Sequence, residues 1–103
     1  MVTIKITELK NIRKTIGLIG ARQPHAVLLK TRFGIHTFGV RFPIDVVILD
    51  KEEHVMKIVK SLKPNRIFLW HPRYDTVIEL PAGEIEEKRI KIGEMLKLVM
   101  NEN

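Results

Sequence analysis

His36-Thr-Phe-Gly-Val-Arg-Phe-Pro-Ile-Asp-Val-Val-Ile-Leu-Asp50 is the stretch on which the fold turns. Its second half, Ile44 to Leu49, is rich in β-branched residues and carries apolar side chains on both faces, which predicts a central strand. Pro43 cannot donate to a ladder, so the chain enters that strand at an edge or through a bulge. Asp50-Lys51-Glu52-Glu53 is polar enough to turn. His54 to Lys60 then returns with Met56 and Ile58 on one face and Val55 and Val59 on the other, completing a β-hairpin.

Outward from this hairpin the signals stay short. Val2 to Leu9 alternates Val2, Ile4 and Ile6 against Thr3, Lys5 and Thr7, the period of a half-buried strand. Lys10 to Gly20 reads as an irregular connection, or as a short helix with Ile12, Ile16 and Ile19 along one side. Ala26 to Thr31 is strand-like, and Gly34 and Gly39 break the residues after it into a loop or bulged segment. Lys63-Pro64-Asn65 turns the chain, Arg66 to Trp70 is a short strand, and Thr76 to Leu80 is another that stops at Pro81-Ala82-Gly83. Glu84 to Arg89 has the acidic start and basic end that suit one or two helical turns, and Ile92 to Met100 gives a turn and a final strand. The pattern predicts a mainly β fold of short antiparallel strands, barrel-like because closure removes edges, with one short helix. A small α+β domain is the fallback description. The segments between strands are too short for crossover helices.

At 103 residues the chain, 1–103, is expected to be a single domain. A composition 45% apolar and 29% charged is globular. With no Cys there are no disulfides, cysteine zinc sites or thiol catalysis. The alternating N-terminus carries Glu8 and does not resemble a signal peptide. No uninterrupted apolar run exceeds the four residues of Val46 to Leu49, so a spanning helix is not expected. These features predict a cytoplasmic protein, a monomer or small homo-oligomer, and the abundant Lys, Glu and Ile lean toward a thermophile. The formal charge of +6 is uneven. Residues 1–44 hold eight Lys or Arg against Glu8 alone, whereas residues 45–103 hold ten against eleven acids.

Together with Val55 to Pro64, Val77-Ile-Glu-Leu-Pro-Ala-Gly83 and Ile92-Gly-Glu94, the opening stretch resembles the family called domain of unknown function 192. The likeness runs from about Ala21 to Met100, with the pieces in the family's order and at compatible spacing. It implies a compact, mostly antiparallel β-barrel with one short helix and no established activity. Many relatives carry secretory leaders, and the expectation here is a chain without one. Val40 stands where the family usually has Met, which removes a flexible thioether from that position.

His36, Arg41, Asp45 and Glu79 are the candidate ligand-binding residues. Arg41 can hold a carboxylate or phosphate through two parallel hydrogen bonds, Asp45 can accept from Arg41 or His36, and His36 can shuttle a proton. Glu79, inside an apolar strand, needs water or a partner. Four readings stay open. In the first, these groups line a pocket for a small anionic or polar ligand. In the second, Arg41 pairs with Asp45 or Glu79 to fix strand register, with His36 as a prop. In the third, Asp45 or Glu79 is a general base and Arg41 steers the substrate. The fourth is nonspecific nucleic-acid binding through the basic N-terminal half, including Lys10, Arg13, Lys14, Arg22, Lys30 and Arg32. His25, His36, His54 and His71 lack the close spacings of metal ligands, so neither metal nor cofactor is expected, although His36, Asp45 and Glu79 could meet at one ion. Phe68, Trp70 and Tyr74, with His71 and Arg73, form a stacking surface for a base or sugar ring, the closed end of a barrel, or an oligomer contact.

Overall fold

The computed structural model describes residues 1–10, 18 and 21–100. Its elements in chain order are β1 (Val2–Ile6), β2 (Glu8–Lys10), β3 (Val27–Lys30), β4 (Gly34–His36), β5 (Ile44–Leu49), β6 (Val55–Leu62), β7 (Ile67–Leu69), β8 (Thr76–Pro81), α1 (Glu84–Glu87) and β9 (Leu96–Met100). The helix considered over Lys10 to Gly20 lies outside the described residues, apart from Lys10 and Leu18. The mainly β architecture with one short helix is as the sequence predicts.

Five strands form the central sheet in the order β2-β3-β8-β5-β6. All six residues of β5 are buried, because both faces of this sheet are covered. On one face Val47, Leu49, Ile78 and Leu80 pack with Ile4 and Ile6 of β1, Leu96 of β9 and Ile85 of α1. On the other, Ile44, Val46, Ile48 and Val77 pack with Leu18, Ile35, Val40 and Trp70. The doubly apolar pattern of Ile44–Leu49 thus reflects two cores sharing one strand.

β1 and β9 pair in parallel as a separate two-stranded sheet that caps the first core, and β2 pairs in parallel with β3. These two parallel pairings are the exceptions in a mostly antiparallel fold: β1 and β2, near the chain's start, run alongside later strands that point in the same direction. The shell around the first core is barrel-like without being closed. One seam is bridged where the Thr7 N–H donates to Ala26 O (2.8 Å), the other by the His54–Met95 bridge and the Val55 N–H to Glu94 O bond (2.8 Å). A cleft of about 470 Å³ opens along the first seam beside Lys5, His25, Glu84 and Lys88. Further along, α1 stops after one turn because Arg89 enters the left-handed region at φ 56°. There the Ile90 N–H closes on Ile85 O (2.9 Å), in the manner of a helix C-terminal motif. No helix among the described residues is long and apolar enough to cross a membrane.

Candidate functional site

The register of β5 with β8 decides what Asp45 and Glu79 can share. Asp45 lies opposite Leu80 and Val46 opposite Glu79. Side chains alternate faces along a strand, so the two carboxyl groups project from opposite sides of the central sheet. Asp45, fully buried, accepts three backbone hydrogen bonds. Its Oδ1 takes the Ser61 N–H (2.9 Å), while its Oδ2 takes those of Gly83 (3.0 Å) and Ile85 (2.9 Å). Ser61 sits at φ 53°, where β6 bulges against β5 between the Ile44 and Val46 pairings. One carboxylate therefore pins both a bulge and the entry to α1.

Glu79 faces the second core between Val27 and Val46. Its Oε1 accepts the Leu18 N–H at 3.0 Å. Burial pushes its pKa up to about 7, against the lowering effect of that one donor. Arg41 is exposed in the link between β4 and β5 and forms no ion pair with Asp45 or Glu79. His36 is exposed on β4. The four candidates therefore do not converge, and the register-fixing pair through Arg41 does not form. The physical reason is the two-residue period: a carboxylate one step off its cross-strand neighbour points to the other side of the sheet. Asp45 does lock register, through backbone donors. The same geometry keeps His36, Asp45 and Glu79 from meeting at one ion, and no group of three ligand-type residues does so among those described.

His36 belongs instead to a groove on the outer face of the β4–β7 pair. Ile35 opposes Phe68, and both turn inward toward the second core. His36 opposes Ile67 and Gly34 opposes Leu69, so the side chains of His36, Ile67 and Leu69 project from the outward face and are exposed. Phe33 (64% exposed), Phe38 (48%), Ile67 (63%) and Leu69 (62%) surround a groove of about 330 Å³. The His36 ring lies over Phe38 with centroids 5.1 Å apart.

Local backbone chemistry sets both ends of this groove. Phe33 has φ 74°, and the Gly34 N–H reaches back to Arg32 O (2.8 Å). This is a γ-turn of the rarer, strained hand, which throws a large aromatic ring outward from a conformation that bulky residues avoid. At the other end buried Thr37 ties its own turn to the next one. Its Oγ1 donates to Lys63 O (2.7 Å) and accepts the Arg66 N–H (2.8 Å), so Phe38 is held beside Lys63 and Arg66. The floor depends on Gly34, where a Cβ would fall 2.5 Å from Leu69 Cδ2 and 2.7 Å from Phe68 O. Gly34→Ala is therefore expected to pry β4 from β7 and destabilise the protein by about 1–3 kcal/mol, read as a lower urea midpoint with an unchanged slope.

The other sequence candidates scatter. Of the basic set, Arg32 borders the groove, donating to Pro72 O (2.7 Å) and pairing with Asp75 at 3.6 Å. Lys30 bonds Thr76 Oγ1 (2.7 Å) at a different cleft, and Arg22 is exposed away from both. Arg13 and Lys14 lie outside the described residues, as does the Lys10 side chain. Trp70 is buried and donates from Nε1 to Tyr74 O (2.8 Å), with Phe68 tilted against it at 5.7 Å. That cluster closes the second core. Phe33, Ile67 and Leu69 went unremarked in the sequence, although the alternation of Ile67 and Leu69 around inward Phe68 was a readable sign.

The chain is similar to known proteins over most of its length. The family model DUF192, described as Uncharacterized ACR, matches residues 13–98. The UPF0127 protein PH1112 of Pyrococcus horikoshii is 32% identical over 92 residues, covering 84% of this chain and 79% of that protein. The UPF0127 protein PYRAB11210 of Pyrococcus abyssi is 29% identical over 94 residues, covering 85% and 80%. Two crystal structures share the fold. A protein of unknown function from Novosphingobium aromaticivorans has a TM-score of 0.74 at 15% identity, covering 85% of this chain and 71% of that one. A Sinorhizobium meliloti protein described as a proposed transcription regulator has a TM-score of 0.76 at 19% identity, covering 85% and 78%.

Proposed function

We propose, from the premise that this chain belongs to the DUF192 family, that it is a binding module whose site is the β4–β7 groove and whose ligand is a small anion with a flat apolar part. The observation that carries this reading is the cluster of exposed apolar side chains around one groove, with His36 and Phe38 forming an aromatic wall. Concave, mostly apolar sites with a few polar groups at the rim are the usual form of small-molecule pockets. The anionic preference comes from the sequence around it. No acid occurs between Glu8 and Asp45 or between Glu53 and Asp75, and these two segments supply β4, β7 and their flanking turns. An enzyme using Asp45 or Glu79 as general base draws less support, since neither carboxyl borders the groove or the seam cleft.

Anilinonaphthalene sulfonate has this chemistry and serves as the probe. One molecule is expected to bind the folded protein and to take energy from Trp70, which lies beneath Phe68. Phe33→Ser should weaken binding about tenfold, roughly 1.4 kcal/mol, on the scale of one aromatic contact. Thermal melts should stay unchanged, because the ring is exposed. Probe binding that ignores both Phe33→Ser and Phe38→Ser would reject the groove as the site.

A further inference from the structure

We infer that the partner of this groove is single-stranded nucleic acid, with bases stacked on Phe33 and on the His36–Phe38 wall and phosphates met by the surrounding cations. The inference rests on that reading of the groove and deepens it: each nucleotide is an anion with a flat part, and a single strand repeats that unit along its length. Three independent features point the same way.

The first is geometric. The groove offers aromatic surface at both ends, Phe33 at one and the His36–Phe38 pair at the other, with Ile67 and Leu69 between them. Two stacking platforms joined by an apolar floor suit successive unpaired bases, because every base presents a flat π-face whatever its sequence. The second is electrostatic. Thr37 fastens the Phe38 turn to the segment bearing Lys63 and Arg66, and exposed Arg41 comes three residues after Phe38. Arg32 borders the groove at the Phe33 end, its guanidinium 3.6 Å from the Asp75 carboxylate. Cations therefore lie near both ends of the groove, and among the described residues Asp75 is the one acid paired with any of them. That complementarity is to a ligand with negative charge repeated along its length.

The third feature is steric. The platforms project from a twisted two-stranded pair rather than from a helix, and Phe33 is aimed outward by its strained turn. A duplex keeps its bases stacked on each other and offers them no face. The site should therefore prefer a single strand, with little sequence selectivity. The same excess of cations over acids around the rim opposes pairing of two copies of this chain through this face.

Fluorescence anisotropy with a labelled oligothymidylate of about 15 nucleotides, alone and annealed to its complement, tests this. The single strand is expected to bind more tightly than the duplex, with log affinity falling linearly against log salt. Phe33→Ala and Phe38→Ala should each weaken the single strand about 5- to 150-fold, whereas Arg41→Ala with Arg66→Ala should flatten the salt slope. Equal binding of both forms, indifferent to Phe33→Ala and Phe38→Ala, would overturn the inference. So would anionic phospholipid vesicles that capture the protein through the same phenylalanines while the oligothymidylate does not. No oligonucleotide binding at low salt, with the sulfonate probe still bound, rejects nucleic acid and leaves the groove standing. Failure of both probes rejects both.

Discussion

Asp45→Asn is expected to lower the unfolding free energy by about 3 kcal/mol, and Asp45→Ala by on the order of 5 kcal/mol, a large share of what a domain this size holds. Three N–H groups converge on one carboxylate, from the β6 bulge at Ser61 and from Gly83 and Ile85 at the start of α1. An amide has one accepting oxygen. Turned toward Gly83 and Ile85, it sets its NH2 against the Ser61 N–H, and turned the other way it abandons two donors, one of them the buried Ile85 N–H. Hydrogen bonds to a charged acceptor contribute more than neutral ones, and a buried donor left unpaired adds its desolvation penalty. Urea unfolding gives the total loss. Hydrogen exchange locates it, since protection should fall first at Ser61, Gly83 and Ile85. An Asp45→Asn protein with the parent's stability would show that the carboxylate's second accepting oxygen contributes nothing to the fold.

How far the fold was legible depends on the reach of each signal. Ile44–Leu49 announced a central strand because burial on both faces leaves its mark within six consecutive residues. The hairpin to β6 was equally local. The parallel partners of β1 and β2 were not legible, since alternation in Val2–Leu9 states that a strand exists without saying what lies beside it. Asp45 and Glu79 mark the sharper limit. Each was visible as a carboxyl within an apolar strand, and each is indeed buried. Whether they face each other depends on a register between segments 34 positions apart in the chain, and a single step separates a shared pocket from opposite cores. The groove escaped notice for a different reason. Phe33 beside Gly34 reads as loop composition, and only its positive φ reveals that the ring is displayed rather than packed.

Glu79→Gln is expected to remove a pH dependence of stability that comes from one buried carboxyl. Glu79 is 4% exposed and its pKa is raised from 4.5 to about 7. Between those values the folded state keeps a proton that the unfolded chain has released. Stability from this group is therefore fully present in acid, falls as pH climbs from about 4.5, and levels off above about 7. Each unit corresponds to about 1.4 kcal/mol, so the whole window spans roughly 3 kcal/mol. Gln retains an oxygen for the Leu18 N–H and carries no charge into the second core. Its NH2 asks for a partner much as the protonated acid's O–H does, so the two proteins should match near pH 4. At pH 8 the variant should be the more stable by up to about 3 kcal/mol. Urea unfolding of both proteins across that range reads the difference directly, and parallel curves would mean that Glu79 ionises in the folded state as easily as in water. The native acid accepts this penalty while holding Leu18 against Val27 and Val46, so the variant also asks whether that anchor needs the charge. Undiminished protection of the Leu18 amide in Glu79→Gln would show that the acceptor oxygen alone suffices.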